Sequence, residues 1–257
     1  MKAKSLGFIG GGRITKIFLQ AFANKNAAIG SVIVYDTNNE VLTALKNQFP
    51  FIETVSSGTA AAAQELVFIA LHPPVIMETL DKMAHDITAK SIVISLAPKI
   101  SIEKMASKLP TRNIVRMIPN ATSFINEGYN PMTFAGEFNH IQKAEVLEMV
   151  QLLGTTLEVA EPKLEAYALL SAMLPTYFWF QWNELIKLGE PMGLTKEESR
   201  HALHQTLPAA MDLYFDSGLS PEQVMDLIPV KPIGEHQAYI TEIYQTKLIG
   251  LYEKIKP

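Results

Sequence analysis

The chain has 257 residues, a length that suggests one large or two modest domains. Its 22 basic side chains against 26 acidic ones leave a net charge of −4, which argues against a general binder of nucleic acid or anionic membranes. There is no cysteine, so disulfides, zinc–thiolate sites, iron–sulfur ligation and thiol nucleophiles are excluded.

Short apolar runs alternate with helical patterns in the first part of the chain. Strands are predicted over 6–10, 31–36, 66–71, 91–96 and 113–117. Helices are predicted over 14–24, 39–48, 75–83 and 102–109, and the short 59–63 segment is also expected to be helical. This alternation indicates βαβ units and a mostly parallel sheet, and the continuous apolar runs indicate strands covered by helices on both faces.

The β signal is lost from about residue 162. One long helix is predicted over 163–188, followed by helices over 195–217, 221–227 and 235–255. Thr195 and Glu198 form a capping-box pattern at the start of the second of these. The first is apolar in its middle and must be buried, either at the centre of a monomeric bundle or, as we expect, against a second subunit.

No segment has the features of a membrane anchor or a secretion signal. The apolar run at the start is short and interrupted by glycines. The most apolar later stretch, 169–182, contains Pro175 and polar groups, and it is shorter than the roughly 20 apolar residues that span a membrane. We therefore expect a soluble, cytoplasmic protein.

A glycine-rich turn joins the first predicted strand to the first predicted helix. Its pattern is Gly10-x-Gly12-x-x-Thr15. Gly10 permits a tight turn, Gly12 lets the backbone approach a pyrophosphate, and the helix N-terminus offers unpaired amides to that anion. Thr15 is larger than the usual glycine or alanine. Because the motif lies in a βαβ unit, it predicts dinucleotide binding.

Asp36 ends the second predicted strand, 24 residues after Gly12. An acid at this position binds the adenosine ribose hydroxyls and favours NAD. A competing interpretation is that Asp36 only caps the next helix. Arg13, in the glycine loop, is a candidate to bind a 2′-phosphate, so NADP stays open as the alternative cofactor.

Several segments together resemble the pyrroline-5-carboxylate reductase family, whose members reduce a cyclic imine to proline with a nicotinamide cofactor. The segments are GFIGGGRI, VFIALHPPVI, ISLAPKIS, RMIPNATSFINEG, LLSAMLPTYFWFQWNEL and MGLTKEESRHALHQTLPAAMDL. Their order and spacing agree with the family along nearly the whole chain. The resemblance implies an α/β fold: an N-terminal Rossmann-type dinucleotide-binding domain, 1–160, and a C-terminal all-α domain, 161–257, that forms a homodimer or higher homo-oligomer with the active site at the interface.

The resemblance carries cofactor-binding residues over to this chain. After the strand predicted over 66–71, the family usually has a lysine where this chain has His72. After the strand predicted over 91–96, the family has Ala-Gly where this chain has Pro98 and Lys99. Together with Asp36, the candidate cofactor-binding residues are Ile9, Gly10, Gly12, Arg13, Ile14, Ala70, Leu71, His72, Pro73, Ser95, Ala97, Pro119 and Asn120.

The substrate side of the resemblance is weaker, because two segments depart from the family. In 171–177 the family's SGSGPAY becomes SAMLPTY, so Met173 and Leu174 replace small residues. In 229–236 the family's SPGGTT loop, which helps hold the substrate, falls on KPIGEH with one inserted residue. A glutamate at position 235 facing a substrate carboxylate would be repulsive. Either Glu235 turns away, or the substrate is not pyrroline-5-carboxylate.

Imine reduction also needs a proton at the nitrogen. His236 suits this role by its ordinary pKa, and Ser171 and Thr176 are candidate hydrogen-bonding groups. The competing interpretation of His236 is an exposed first turn of the last helix. We predict no metal site: His201 and His204 are three residues apart on a helix, but no third ligand accompanies them.

The leading hypothesis is therefore an NAD(P)-dependent oxidoreductase that reduces a C=N bond, most like pyrroline-5-carboxylate reductase of proline biosynthesis. The expected partners are a small imine substrate and a second copy of the chain, with no nucleic acid and no membrane. One alternative is a reductase of a different imine or carbonyl compound. The other is a nucleotide-binding paralogue without turnover.

Overall fold

A computed structural model describes residues 4–136 and 138–257. The described residues divide into two compact units, the first extending to Ala172 and including Tyr252–Pro257, the second comprising Met173–Leu251. The functional division expected at residue 160 stays a prediction.

The first unit is built on an eight-stranded sheet with the strand order β3-β2-β1-β4-β5-β6-β7-β8. All neighbouring strands are parallel except β6 and β7, which pair antiparallel. In chain order the strands are β1 (Leu6–Ile9), β2 (Val32–Tyr35), β3 (Glu53–Val55), β4 (Leu66–Ile69), β5 (Ile92–Ser95), β6 (Ile114–Met117), β7 (Gly128–Phe134) and β8 (Gly154–Glu158). This confirms the predicted α/β class with its mostly parallel sheet.

Helices cover both faces of this sheet. Successive residues of a strand point to opposite faces, so Phe8 and Phe68 stack at 4.7 Å in one buried cluster while Ile9 and Ile69 lie in the other. The helices of the first unit are α1 (Arg13–Asn24), α2 (Asn39–Gln48), α3 (Gly58–Ala62), α4 (Pro73–Met83), α5 (Ile102–Ala106), α6 (His140–Gln151) and α7 (Leu164–Tyr167).

Four elements were not among the predicted ones: β3, α6, β7 and β8. β7 contains Gly128, Asn130 and Pro131, and β8 reads GTTLE, so neither has the continuous apolar run of the central strands. β3 has only three residues and is partly exposed. These strands are defined by pairing with neighbouring strands rather than by an apolar pattern of their own.

The helix predicted over 163–188 is interrupted. After α7 the backbone forms a π-helical turn, Ala168–Ala172, and an α-helix resumes only at Pro175. Pro175 has no backbone N–H and fits the first turn of the new helix rather than the interior of a long one.

The second unit is entirely helical. It contains α8 (Pro175–Leu188), α9 (Lys196–Asp216), α10 (Pro221–Asp226) and most of α11 (Gln237–Ile255). The capping box predicted at Thr195 and Glu198 is present at the start of α9. Within the single chain no residue of α8 is buried, and Phe180 is 67% exposed.

Among the described residues, no helix is both long enough and apolar enough to cross a membrane.

Candidate functional site

A cleft of about 680 Å³ opens at the carboxyl ends of the central strands of the first unit. Its volume lies in the range of small-molecule and cofactor sites, and its position is where doubly wound sheets bind ligands. The cleft is lined by residues of the glycine loop, of α1 and α2, and of the segments that follow β4 and β5. They are Gly11, Gly12, Arg13, Ile14, Lys16, Val41, Ala44, Leu45, Gln48, Ala70, Leu71, His72, Pro73, Leu96, Ala97 and Pro98.

The glycine loop has the backbone that a phosphate site requires. Gly10 adopts φ +106°, and a Cβ there would lie 2.5 Å from the Ala70 carbonyl oxygen, so only glycine fits. Gly12 is the N-cap of α1, where no side chain caps the helix. A Cβ on Gly12 would meet no atom within 4 Å. The first-turn amides of α1 and the open space beside Gly12 together fit a pyrophosphate.

Thr15 replaces the small third residue of the motif without disturbing it. The side chain is fully buried, and its hydroxyl donates a hydrogen bond of 2.5 Å to the Gly10 carbonyl. The hydroxyl thus satisfies a backbone acceptor in the tight turn, which explains how the larger residue is accommodated.

Asp36 joins the glycine loop to the turn that follows β2. One carboxylate oxygen accepts from the Gly11 amide at 2.7 Å, and the other accepts from the Asn38 amide at 2.8 Å. The N-cap of α2 is Asn38, whose side chain accepts from the amides of the first turn. Asp36 is therefore not the cap of the next helix, and its carboxylate retains lone pairs for ribose hydroxyls.

Cationic and polar side chains stand at the rim of the cleft. Arg13 is exposed, and no described residue pairs with its guanidinium. His72 is exposed at the N-cap position of α4, and Pro73 is the first residue of that helix. These positions leave Arg13 accessible to a phosphate, as the NADP alternative requires.

The residues predicted at the ends of β1, β5 and β6 are buried. Ile9 and Ser95 are fully buried, and Ala97 is 3% exposed. Asn120 is 5% exposed, and its side chain is engaged at both ends: the amide nitrogen donates to the Ser171 carbonyl at 3.2 Å, and the oxygen accepts from the Thr122 amide at 3.0 Å. In this structure Asn120 ties the end of β6 to the π-helical turn.

Of the three candidate catalytic residues, Ser171 lies in the first unit. Its hydroxyl donates to the Tyr167 carbonyl at 2.7 Å within the π-helical turn, a local geometry that recurs at functional sites. Thr176 lies in the first turn of α8 and donates to the Met173 carbonyl at 2.6 Å. Their roles stay predictions.

His236 lies in the second unit, in a short 3₁₀ turn before α11. Its Nε2 is 3.4 Å from the Glu235 carboxylate, and both side chains are exposed. Tyr177 is closer to the interior of that unit: burial first, and then the nearby Tyr244, raises the pKa of its phenol above the ordinary value.

The motifs did not identify one ionic cluster, which contacts the segment that follows the cleft residues Leu96–Pro98. Arg116, on β6, is fully buried and binds the carboxylates of Glu161 and Glu165. The same carboxylates accept the backbone amides of Lys99 and Ile102, at 3.1 and 2.8 Å. The signal in the sequence was an arginine inside the apolar run NIVRM, because a buried charge needs a partner.

Within 4–136 and 138–257 no group of three metal-ligating side chains comes together. His201 and His204 both line an apolar groove between α8 and α9, without a third ligand.

Comparison with known proteins agrees with these observations. Residues 5–99 match the family model of the coenzyme F420-dependent NADP oxidoreductases. Over 96% of its length the chain is 24% identical to a pyrroline-5-carboxylate reductase of Corynebacterium melassecola, and the match covers 93% of that protein. A pyrroline-5-carboxylate reductase of Escherichia coli is 22% identical over 88% of this chain and 84% of its own length.

The fold is similar to that of a solved structure. The NADP-bound pyrroline carboxylate reductase of Plasmodium falciparum superimposes with a TM-score of 0.77 at 21% identity, covering 99% of this chain and 96% of that one. The similarity confirms the fold class predicted from the sequence: a Rossmann-type domain followed by helices.

Proposed function

We propose that this chain, a relative of the pyrroline-5-carboxylate reductases, is an NAD(P)-dependent oxidoreductase that reduces a carbon–nitrogen double bond. The observation that carries the proposal is the cleft at the strand ends, with its uncapped helix N-terminus and the open space beside Gly12. The similarity to reductases along nearly the whole chain supports the reaction class.

The residues present fit a dinucleotide. The first turn of α1, with Gly12, would hold the pyrophosphate, and Asp36 would hold the adenosine ribose. Ala97 and Pro98 line the same cleft after β5, and Asn120 holds the neighbouring end of β6 in place. A bound nicotinamide supplies the hydride.

Between the two cofactors, we propose that NAD is preferred. The Asp36 carboxylate is held by two backbone amides, so it cannot rotate away without losing both hydrogen bonds. Its charge would repel a 2′-phosphate. Arg13 is accessible and unpaired among the described residues, and it supports NADP as the second choice.

On the substrate side, we propose hydrogen-bonding roles for Ser171 and Thr176 and a proton-donating role for His236. The Ser171 and Thr176 hydroxyls each donate to a backbone carbonyl, so their lone pairs are available to accept from a substrate. The His236 imidazole lies 3.4 Å from the Glu235 carboxylate, and its exposed side chain is accessible to a substrate.

A second candidate function is the reduction of a different imine or carbonyl compound. The observation that favours it is the Glu235–His236 pair, which stands where the family resemblance places threonines. An exposed carboxylate there disfavours an anionic substrate by repulsion.

The proposal includes assembly with a second copy of the chain, in the cytoplasm. The α8 helix supports a homodimer, because none of its residues is buried within the single chain although Phe178, Trp179 and Phe180 are large and apolar. Apolar side chains exposed together on one element indicate an interface. Sedimentation velocity would test this assembly, and a monomer at micromolar concentration would contradict it.

The decisive experiment follows oxidation of NADH and NADPH with pyrroline-5-carboxylate and with a panel of other imines and ketones, after cofactor affinities are measured alone. Turnover with pyrroline-5-carboxylate supports the leading proposal. Turnover only with another substrate supports the second candidate. Tight cofactor binding without turnover on the whole panel would overturn both and leave a nucleotide-binding paralogue.

A further inference from the structure

The buried ionic cluster contacts a turn that follows the residues lining the cleft after β5. Leu96, Ala97 and Pro98 line the cleft directly after β5. Lys99 follows them with φ +77°, a left-handed conformation that disfavours any residue with a Cβ. The conformation of this turn therefore needs a stabilising contact from elsewhere in the chain.

Glu165 provides that contact from 66 residues away. Its carboxylate is 1% exposed and accepts the Lys99 amide at 3.1 Å, while the same oxygen binds the Arg116 guanidinium. Glu161, four residues earlier in the chain, makes similar contacts. Its carboxylate accepts hydrogen bonds from the Ile102 amide at 2.8 Å and from the Arg116 guanidinium at 3.0 Å. Two carboxylates and one guanidinium thus hold both ends of the 99–102 segment.

This arrangement is not the one that stability alone would favour. Burying an ion cluster removes charges from water, and apolar side chains of similar volume often replace such clusters without loss. Two buried polar atoms of the cluster, Arg116 Nε and Glu165 Oε2, also have no hydrogen-bond partner among the described residues. Unfavourable features of this kind persist where a defined geometry is needed.

We propose that Arg116, Glu161 and Glu165 are positioning residues that set the edge of the cofactor cleft by holding the 99–102 segment, with Lys99 in its left-handed conformation. They touch the turn and not the cofactor. The inference rests on the proposed function, since it assumes that the cleft binds a dinucleotide, but it does not depend on which substrate is reduced.

The test measures dissociation constants for NADH and NADPH, without substrate, in variants of the turn and of the cluster. Glu165→Gln keeps the shape and removes the charge. We expect the affinity of the preferred cofactor to fall about five- to tenfold, the loss typical when a charge-assisted hydrogen bond becomes a neutral one. Adding Lys99→Gly to that variant should restore affinity to within about twofold, because glycine adopts positive φ without strain.

A matched pair at the exposed Lys99 avoids disturbing the buried charges. Lys99→Val places a β-branched residue at positive φ and should weaken cofactor binding to the same extent as Glu165→Gln. Lys99→Gly alone removes the same charge and should leave affinity unchanged. This pair keeps the inference testable if Glu165→Gln does not fold.

Unchanged cofactor affinity in both Glu165→Gln and Lys99→Val would overturn the inference. A loss of affinity in Glu165→Gln that the added Lys99→Gly fails to rescue would overturn it as well, since a merely structural role predicts no rescue. If the unaltered protein binds neither dinucleotide, the proposed function fails together with the inference. If it binds one but reduces no imine, only the reductase proposal fails, and the variants still decide the role of the cluster.

Discussion

The substitution Gly12→Asp separates cofactor binding from folding. The new side chain enters open space, since no heavy atom lies within 4 Å of the Cβ position. Aspartate is also a better N-cap than glycine by a few tenths of a kcal/mol, so the free energy of unfolding should stay constant or rise slightly.

The same carboxylate would stand where a pyrophosphate is expected. Two unit charges about 4 Å apart repel by about 1 kcal/mol in bulk water and by about 4 kcal/mol at an effective dielectric constant of about 20. Since about 1.4 kcal/mol is a factor of ten, the affinity for NADH and NADPH should fall by about 5- to 1,000-fold.

Isothermal titration calorimetry measures the affinity for each cofactor, and denaturant unfolding in parallel measures the free energy of unfolding. Gly136→Asp is the matched control: its Cβ also meets no atom within 4 Å, and it is not among the residues that line the cleft. A folded Gly12→Asp protein that binds cofactor as tightly as the control would refute the assignment of the phosphate loop.

Three further outcomes test other parts of the site. Asp36→Asn should raise the affinity for NADPH relative to NADH about tenfold, because one negative charge near the 2′ position is removed; an unchanged ratio of dissociation constants would show that Asp36 does not discriminate. Thr15→Val should lower the free energy of unfolding by about 1 kcal/mol, because the buried hydrogen bond to the Gly10 carbonyl is lost while the side-chain volume is kept; an unfolding midpoint equal to that of the unaltered protein would contradict this. Gly7→Ala should destabilise the fold by about 3 kcal/mol in denaturant unfolding, since its Cβ would lie 1.8 Å from the Ala61 carbonyl oxygen; a neutral effect would mean that the packing of α3 against β1 relaxes freely.

Elements with a strong local signal were predicted closely. The helix predicted over 39–48 has those bounds in the structure, because Asn38 caps its start and its apolar residues recur at helical spacing. The capping box at Thr195 and Glu198 likewise depends only on residues three apart. The glycine-rich turn between β1 and α1 belongs to this class, since its strand, glycines and helix are contiguous in the chain.

Elements that depend on distant partners were missed or altered. β7 and β8 have polar, glycine-containing sequences, and they are strands because β7 pairs with β6 and β8 pairs with β7. The predicted helix over 163–188 breaks where Asn120 donates to the Ser171 carbonyl across the π-helical turn. Hydrogen bonds between residues far apart in sequence leave no periodic trace that a local pattern can reveal.

By itself, the sequence determined the alternating β/α order, the glycine-rich turn between the first strand and helix, and the family resemblance, because these depend on neighbouring residues and their spacing. Only the tertiary structure decided that the Asp36 carboxylate accepts the Gly11 amide rather than capping a helix. It likewise decided that Glu161 and Glu165 accept the amides of Ile102 and Lys99 in the turn at the cleft edge. Lys99 has a positive φ although it is not a glycine, and its amide donates to the buried carboxylate of Glu165, 66 residues away in the chain. That contact exists only after the chain has folded, so no local pattern in the sequence could reveal it.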